Sequence, residues 1–346
     1  VMSEHESDER KGKGFSVAQF NILAKVLAQP DHFPGVKKER LKWDNRREVL
    51  MENIEDLQID GRRADILCFE ELSNYWEFFK DELAKPPFLY NSVYVKRPAI
   101  TKTSWSGLAK TDGCGIFYSL ARFKLLSQTV VNYRDRHDRV ALIIALECIG
   151  ELDGNGIIIV SNTHLYWDIK KIEDQMSQLR FLHESIDGFF EQLKDEFDID
   201  CNSIPVIVAG DFNNLPSSEL YRYMHHEFLY NSHQMKSSYR KYNYPGNTLD
   251  SLKNEEIEEK ILQGDYEPSC TSVTHRRAKT IDYIFYSSKY LKLNQCKSLP
   301  TEEELRSEEG EENWQDNVKE MKFNPNQNYN GLPNTKWGSD HIPIMA

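Results

Sequence analysis

Pro205-Val206-Ile207-Val208-Ala209-Gly210-Asp211-Phe212-Asn213 sets five mostly apolar, β-forming residues directly before a Gly-Asp-Phe-Asn run. The pattern predicts a buried strand that delivers an Asp and an Asn to its end and stops at the turn signal Asn214-Leu215-Pro216. Asp211 and Asn213 lie two apart, so extended backbone would turn both to one side. A carboxylate there can hold a metal ion or orient a nucleophile, and a carboxamide can grip a phosphate oxygen. The tetrapeptide alone also suits an ordinary capping turn, so the decision falls to other segments of the same kind.

Working outward, residues 15–22 read as a strand ending in Asn21, and residues 43–57 as a helix with Val49, Leu50, Ile54 and Leu57 on one face. Residues 64–69 form a short apolar strand running into Glu70-Glu71, and residues 114–119, 140–148 and 157–162 are further strands. Residues 172–193 carry apolar side chains at helical spacing, residues 281–287 read as a strand, and a last strand spans 341–345. Some strands follow one another directly while helices separate others. That excludes a regular βαβ repeat and favours mixed sheets with helices packed outside. No repeat, heptad pattern or Pro/Gly-rich linker divides the chain, so residues 15–346 are expected to form a single domain, with 96–110 as a polar loop. The polar residues 1–14 read as a disordered lead-in.

A chain of 346 residues with 39% hydrophobic content can bury a large core. No stretch approaches the roughly 18 apolar residues of a membrane span, so no membrane association is expected. Six cysteines without a Cys-x-x-Cys pair fit a reducing, intracellular setting, the cytoplasm ahead of the nucleus. The net charge of −12 argues against a nucleic-acid partner only superficially. Residues 301–313 carry net −6 and residues 255–260 net −3. Both runs read as solvated acidic insertions or loops, near 251–265 and 301–321, and leave the rest of the chain nearly neutral.

Polar residues recur at predicted strand ends: Asn21, Glu71, His164, Asp211 with Asn213, Asp282 at a strand start, and Asp340-His341. Singly, each is an ordinary turn or structural residue. Together they are chemically complete for phosphoester hydrolysis. Glu71 can bind a hard divalent cation such as Mg²⁺, which takes oxygen ligands and usually one or two carboxylates. Asp211 can orient a water, and Asn21, Asn213 and His164 can hold phosphate oxygens. His341, made more basic by a carboxylate, can neutralise developing charge, with Asp282 as the natural partner.

In order along the chain, the segments Gln19-Phe20-Asn21-Ile22-Leu23-Ala24, Cys68-Phe69-Glu70-Glu71-Leu72, Asp112-Gly113-Cys114-Gly115-Ile116-Phe117, Thr163-His164-Leu165-Tyr166-Trp167, Gly210-Asp211-Phe212-Asn213, Ile281-Asp282-Tyr283-Ile284-Phe285-Tyr286 and Ser339-Asp340-His341 resemble the motifs of the exonuclease–endonuclease–phosphatase superfamily. More narrowly, they resemble its catabolite-repressor deadenylase, nocturnin and Angel branch. The resemblance runs from about residue 15 to the C-terminus. It implies an α/β fold, a four-layer α/β/β/α sandwich of two mixed sheets flanked by helices, with the site at one end. It also implies Mg²⁺-dependent hydrolysis, with Mn²⁺ as a possible substitute, most often 3′-to-5′ removal of nucleotides from single-stranded RNA. By motif, Glu71 would be the metal ligand, Asp211 and Asn213 the nucleophile-side pair, and His164 and Asn21 phosphate contacts. Asp282 and His341 would complete the site, with Asp340 behind the histidine.

Three departures bear on substrate. Glu70 stands where the family usually has Gln; strand alternation would put it opposite Glu71, as a solvated neighbour or as added charge beside the metal. The proline and aromatic that clamp a base in the deadenylases are absent, since Ile169 follows Trp167-Asp168 and Arg276-Arg277-Ala278-Lys279 precede Ile281. Arg276, Arg277 and Lys279 are accordingly candidate substrate contacts, weighed against a plain solvated loop; residues 269–287 look closer to the Angel group, associated with terminal phosphate chemistry. Tyr166-Trp167-Asp168 replaces the basic residues of nocturnin-type enzymes, which weighs against a dinucleotide 2′-phosphatase. No leucine-rich repeat precedes the catalytic motifs, so docking by that route is not expected. The leading expectation is a deadenylase-type exoribonuclease. Its rivals are a phosphatase of the same fold, acting on cyclic or terminal phosphate or a nucleotide cofactor, and a catalytically silent binding protein.

Overall fold

The computed structural model describes residues 14–98, 111–149, 156–230, 233–243, 255–306 and 331–346. The lead-in expected over residues 1–14 lies outside them except for Gly14. So do 99–110 of the polar loop, and 251–254 and 307–321 of the acidic segments.

The described strands are β1 (Val17–Asn21), β2 (Gln58–Ile59), β3 (Arg62–Arg63), β4 (Ile66–Glu70), β5 (Tyr90–Lys96), β6 (Gly113–Ser119), β7 (Phe123–Asn132), β8 (Val140–Cys148), β9 (Ile157–His164), β10 (Val206–Asp211), β11 (Leu229–Tyr230), β12 (His233–Ser237), β13 (Ser272–Thr274), β14 (Arg277–Lys279), β15 (Asp282–Ser287) and β16 (Ile344–Met345). One sheet has five strands in the order β16-β1-β4-β6-β5, the other seven in the order β11-β12-β15-β10-β9-β8-β7. Both are mixed. β1 runs parallel to β4 and β9 parallel to β10, while the other pairs in these two sheets are antiparallel.

The two sheets pack face to face. In β8, Leu142, Ile144 and Leu146 enter the core between the sheets with Ile66, Cys68, Ile116, Val160 and Ile207. The alternate residues Ala141, Ile143 and Ala145 face a second core beneath the helices Ile172–Phe197 and Glu219–His226. A strand buried on both faces has no polar alternation, which is why 140–148 reads as one apolar run. The outer face of the first sheet is covered by the Trp43–Glu55 helix through Leu50 and Ile54, and by Tyr75 and Phe79. These are the four layers expected.

Differences have physical causes. The long helix continues past 193 to Phe197 and ends where Asp198 turns left-handed at φ 54° and donates its N–H to the Lys194 carbonyl. The sequence gives no sign of β5 and β7; both are edge strands whose mixed exposure leaves no continuous apolar run. The described parts of the acidic runs are helices, Glu255–Leu262 and Glu302–Arg306, rather than loops, each holding one apolar side chain inward, Ile261 and Leu305. No helix among the described residues is long and apolar enough to cross a membrane.

Gly210 carries φ +150°, and a Cβ there would sit 2.0 Å from the Thr163 carbonyl oxygen on β9. Gly188, in the long helix, has no atom within 4 Å of such a Cβ. Gly210→Ala is therefore expected to destabilise by roughly 2–4 kcal/mol, whereas Gly188→Ala should stabilise by about 0.5–1 kcal/mol. Urea midpoints of the two variants should move in opposite directions; a common shift would contradict the packing described.

Candidate active site

Strand register assembles the site. In β10, Asp211 pairs with His164 of β9 on one side and with Asp282 of β15 on the other. In the facing sheet, Asn21 of β1 pairs with Glu70 of β4. The ends of these strands meet across the gap between the sheets. Asn21 Nδ2 donates to Asp211 Oδ2 at 3.0 Å. Gln19 Nε2 donates to Glu70 Oε2 at 2.6 Å and to Asp282 Oδ1 at 2.9 Å.

His341 enters from the last connection, where its neighbour Ser339 donates through Oγ to the Asn21 carbonyl at 2.7 Å. His341 Nδ1 lies 2.8 Å from Asp282 Oδ2, and its Nε2 lies 3.8 Å from Asp211 Oδ2. Burial alone would depress this imidazole, but Asp282, Asp340 and Asp211 outweigh it and hold it well above its ordinary value. His164 is the opposite case. Its Nε2 is 3.5 Å from Asp211 Oδ2, its Nδ1 has no hydrogen-bond partner among the described residues, and burial with Arg139, Arg97 and His341 pushes it well below its ordinary value. The two histidines of the site are thus held in different protonation states. Asp211 is raised to about 7 by burial and by Asp282, against His341, Asn21 and the Asn213 N–H.

Several expectations are corrected. Glu70 is not solvated: it is fully buried, one carboxylate oxygen has no partner, and burial with Asp282 and Asp211 raises it well above the carboxylate range. Alternation fails at Glu71 because the strand ends at Glu70 and Glu71 turns left-handed at φ 52°. Its Oε2 accepts the Ala24 N–H at 2.8 Å, and its carboxyl is raised by burial and by Asp112 and Asp340. Asn213 likewise lies beyond its strand at φ 52°, so the two-residue alternation with Asp211 does not apply. Its Nδ2 donates to the Leu165 carbonyl at 3.1 Å, and its backbone N–H caps Asp211 Oδ1 at 2.9 Å. Asp282 bonds the His341 ring at Nδ1, and Asp340 is half-buried and acts by its charge on His341, Glu71 and Arg46. Arg277 and Lys279 lie on strand β14 of a two-stranded hairpin, β13–β14, and Arg276 lies in the turn that joins its strands. Ser272 of that hairpin bridges to His341, and Thr271 Oγ1 donates to Asp282 Oδ2 at 2.6 Å, so the hairpin adjoins the site; Arg276 and Arg277 are exposed.

Other contributors carry no motif. Arg46, fully buried in the Trp43–Glu55 helix, donates to the carbonyls of Ile22, Leu23 and Gly338 and so ties the Asn21 and His341 segments together. Asn53, on the same helix, accepts the Gly338 N–H and donates to the Lys336 carbonyl. Both occupy the core-facing stripe of the helix, so a polar residue at an apolar position was the available signal. Gln175 and Gln178, buried near the start of the long helix, brace the loops after β9 and β10 through Tyr166, Asn213 and Asn214.

One ligand atom each from Asp211, Asp282 and His341 lies within 4.8 Å of the others, a buried cluster in which only the two carboxylates offer lone pairs to a cation while His341 is protonated. Unpartnered carboxylate oxygen on Glu70 and the raised carboxyls of Glu71 and Asp211 show negative charge that this end of the fold does not neutralise itself, which suits a hard divalent ion.

A profile of the endonuclease/exonuclease/phosphatase family matches residues 18–341. The chain belongs to that family. Carbon catabolite repressor protein 4 homolog 4 of Arabidopsis thaliana is 24% identical over 391 aligned residues, which cover 100% of this chain and 80% of that protein. Nocturnin of Xenopus laevis is 25% identical over 353 residues, covering 99% and 74%. Among solved structures, ANGEL2, described as a 2′,3′-cyclic phosphatase and bound to adenosine-2′,3′-vanadate, matches with a TM-score of 0.67 at 22% identity, over 97% of this chain and 95% of that one. The human nocturnin catalytic domain with bound sulfate matches at 0.62 and 22% identity, over 96% and 92%. These two structures carry the fold.

A proton and a cation compete for this carboxylate cluster. Asp211 sits at about 7 against an ordinary 3.8, so its contribution to the metal-free fold is complete below 3.8 and is lost as pH rises through about 7. Added Mg²⁺ should therefore raise the melting temperature more at pH 8 than at pH 6, with apparent affinity falling roughly tenfold per unit below pH 7. Glu71→Gln should abolish the Mg²⁺ response, whereas Glu70→Gln, which replaces a carboxyl already bonded to Gln19, should keep it. A scanning-calorimetry series checks both, and the reverse pattern would assign the metal to Glu70.

Proposed function

We propose that this protein is a Mg²⁺-dependent phosphoesterase acting on RNA ends, a 3′-to-5′ exoribonuclease of the deadenylase type. The observation that carries the reading is the Asp211–Asp282–His341 cluster at the sheet junction, one acid near neutrality beside a histidine held cationic. An acid titrating near 7 is suited to take a proton at neutral pH. Asp211 accepts the proton of a water whose oxygen bonds to phosphorus as the bond from phosphorus to the 3′-oxygen breaks; the leaving oxygen is protonated from solvent. His341, kept protonated and oriented by Asp282, faces Asp211 and neutralises charge on the phosphoryl oxygens. Asn21 and the Asn213 N–H hold the Asp211 carboxylate in place. Glu71 is the ligand for Mg²⁺, which when bound supplies positive charge to the phosphoryl group.

A second reading, hydrolysis of a 2′,3′-cyclic or terminal phosphate, is favoured by Ile169 in place of the clamp proline and by the basic hairpin beside His341. End-labelled poly(A), mixed-sequence RNA and cyclic-phosphate-ended RNA separate the readings. A ladder supports the exoribonuclease, a mobility shift from end-group loss supports the phosphatase, and no change on any of them supports a silent binding protein.

Asp211→Ala and His341→Ala are each expected to lower turnover roughly 100-fold or more with little change in melting temperature. An active double variant would overturn the assignment. Preference for poly(A) over other single-stranded RNA should be weak. Replacing Arg276, Arg277 or Lys279 by Ala should lower the salt slope of RNA binding by about 0.7 for every phosphate that the side chain neutralises. Unchanged affinity and slope in all three variants would make the hairpin solvated surface.

A further inference from the structure

Arg139 stands one residue before β8 and is 5% exposed. Its Nε and Nη1 are buried and find no hydrogen-bond partner among the described residues. Leaving guanidinium N–H groups unpaired away from water is costly, so such a residue calls for a reason. Its neighbours are already engaged. Arg97 donates through Nη1 to Asp112 Oδ2 at 3.1 Å and through Nη2 to Asp138 Oδ1, and its Nε reaches the Asp138 carbonyl at 3.4 Å. Arg139 is thus the second cation beside two carboxylates that the first has taken. Burial and Arg97 lower it to about 10, which still leaves it charged at neutral pH.

Its position is fixed from both sheets. Ala141 pairs with Thr163, which sets the start of β8 beside the end of β9 and His164. Cys114 Sγ donates to the Val140 carbonyl at 3.6 Å, which ties the same turn to β6 beside Asp112. Arg139 acts electrostatically on His164 and is itself acted on by Glu71, so it lies near both site residues. The carboxamides expected to hold phosphate each give one of their two Nδ2 N–H groups to the protein, Asn21 to Asp211 and Asn213 to the Leu165 carbonyl.

We propose that Arg139 is the phosphate-binding cation of this site, pairing with non-bridging oxygens of the substrate phosphate; the proposal rests on the phosphoester reading above. A guanidinium presents several N–H groups in one plane and suits two phosphate oxygens at once.

The test is binding of inorganic phosphate to the full chain with Mg²⁺ by titration calorimetry, with melting temperatures taken without phosphate. Arg139→Gln should weaken phosphate binding by roughly 10- to 100-fold, the size of a charge-assisted hydrogen bond. Arg139→Lys, which keeps charge without the planar fork, should lose less. Removing an unpaired buried charge should leave the melting temperature unchanged or raise it. A lower melting temperature with unchanged phosphate affinity would mark a purely structural arginine and overturn the proposal. So would a wild-type protein that does not bind millimolar phosphate. If Arg139→Gln fails to fold, Arg139→Lys decides, and unchanged affinity there overturns the proposal as well. RNA turnover separates this from the wider reading. A wild type that cleaves RNA while Arg139→Gln keeps its phosphate affinity and KM removes Arg139 alone. A wild type inert on every phosphoester, with phosphate affinity that still depends on Arg139, removes the reaction and keeps the anion site.

Discussion

Three carboxamides tie the two sheets together at their polar end, Asn162 by donating to the Phe69 and Gly115 carbonyls of the facing sheet. Gln19 spans from Glu70 in its own sheet to Asp282 in the other, and Asn21 reaches across to Asp211. Without these bridges, three buried acids from facing sheets would meet in a medium that screens charge poorly. A neutral amide can donate to two carboxylates without the desolvation cost of a second cation. The remaining imbalance appears as the upward displacement of Glu70, Glu71 and Asp211, and of the His341 imidazole under the charges of Asp282, Asp340 and Asp211.

Such a cluster persists only where the surroundings over-determine it. The apolar residues of β8, β9 and β10 fill cores on both faces of the larger sheet and fix the strand register on which Asp211, His164 and Asp282 depend. Arg46 and Asn53 then staple the segments bearing Asn21 and His341 to the covering helix. Stability made in the cores offsets the cost of one end, where charge and left-handed backbone at Glu71 and Asn213 accumulate. Activity and stability are expected to trade against each other at this end of the sandwich.

Two surface features flank that cluster. The β13–β14 hairpin closes one flank with exposed arginines, and on the β9 side Trp167 is 60% exposed beyond Tyr166, whose ring stacks on His137 at 3.6 Å. These features hang on the geometry of the strand ends without taking part in it, so they can change while the groups at the strand ends stay fixed.

The apolar runs at 140–148, 157–162 and 205–209 determined the buried strands by themselves, because a strand covered on both faces needs no partner to reveal it. The helical stripe from Ile172 and the polar residues closing each run were equally plain, and the order of those polar residues was enough to indicate the family. The edge strands β5 and β7 were hidden because half-exposed strands carry mixed polarity. Only the tertiary structure decided how Glu70, Asn213, Asp340, Arg46 and Arg139 are used. Strand alternation assigns a face only while the backbone stays extended, and it lapses where Glu71 and Asn213 turn left-handed. Whether a polar side chain is solvated, paired or left with an unmet donor depends on what the other sheet brings against it, and that contact joins residues far apart in the chain, as Gln19 and Asp282 are.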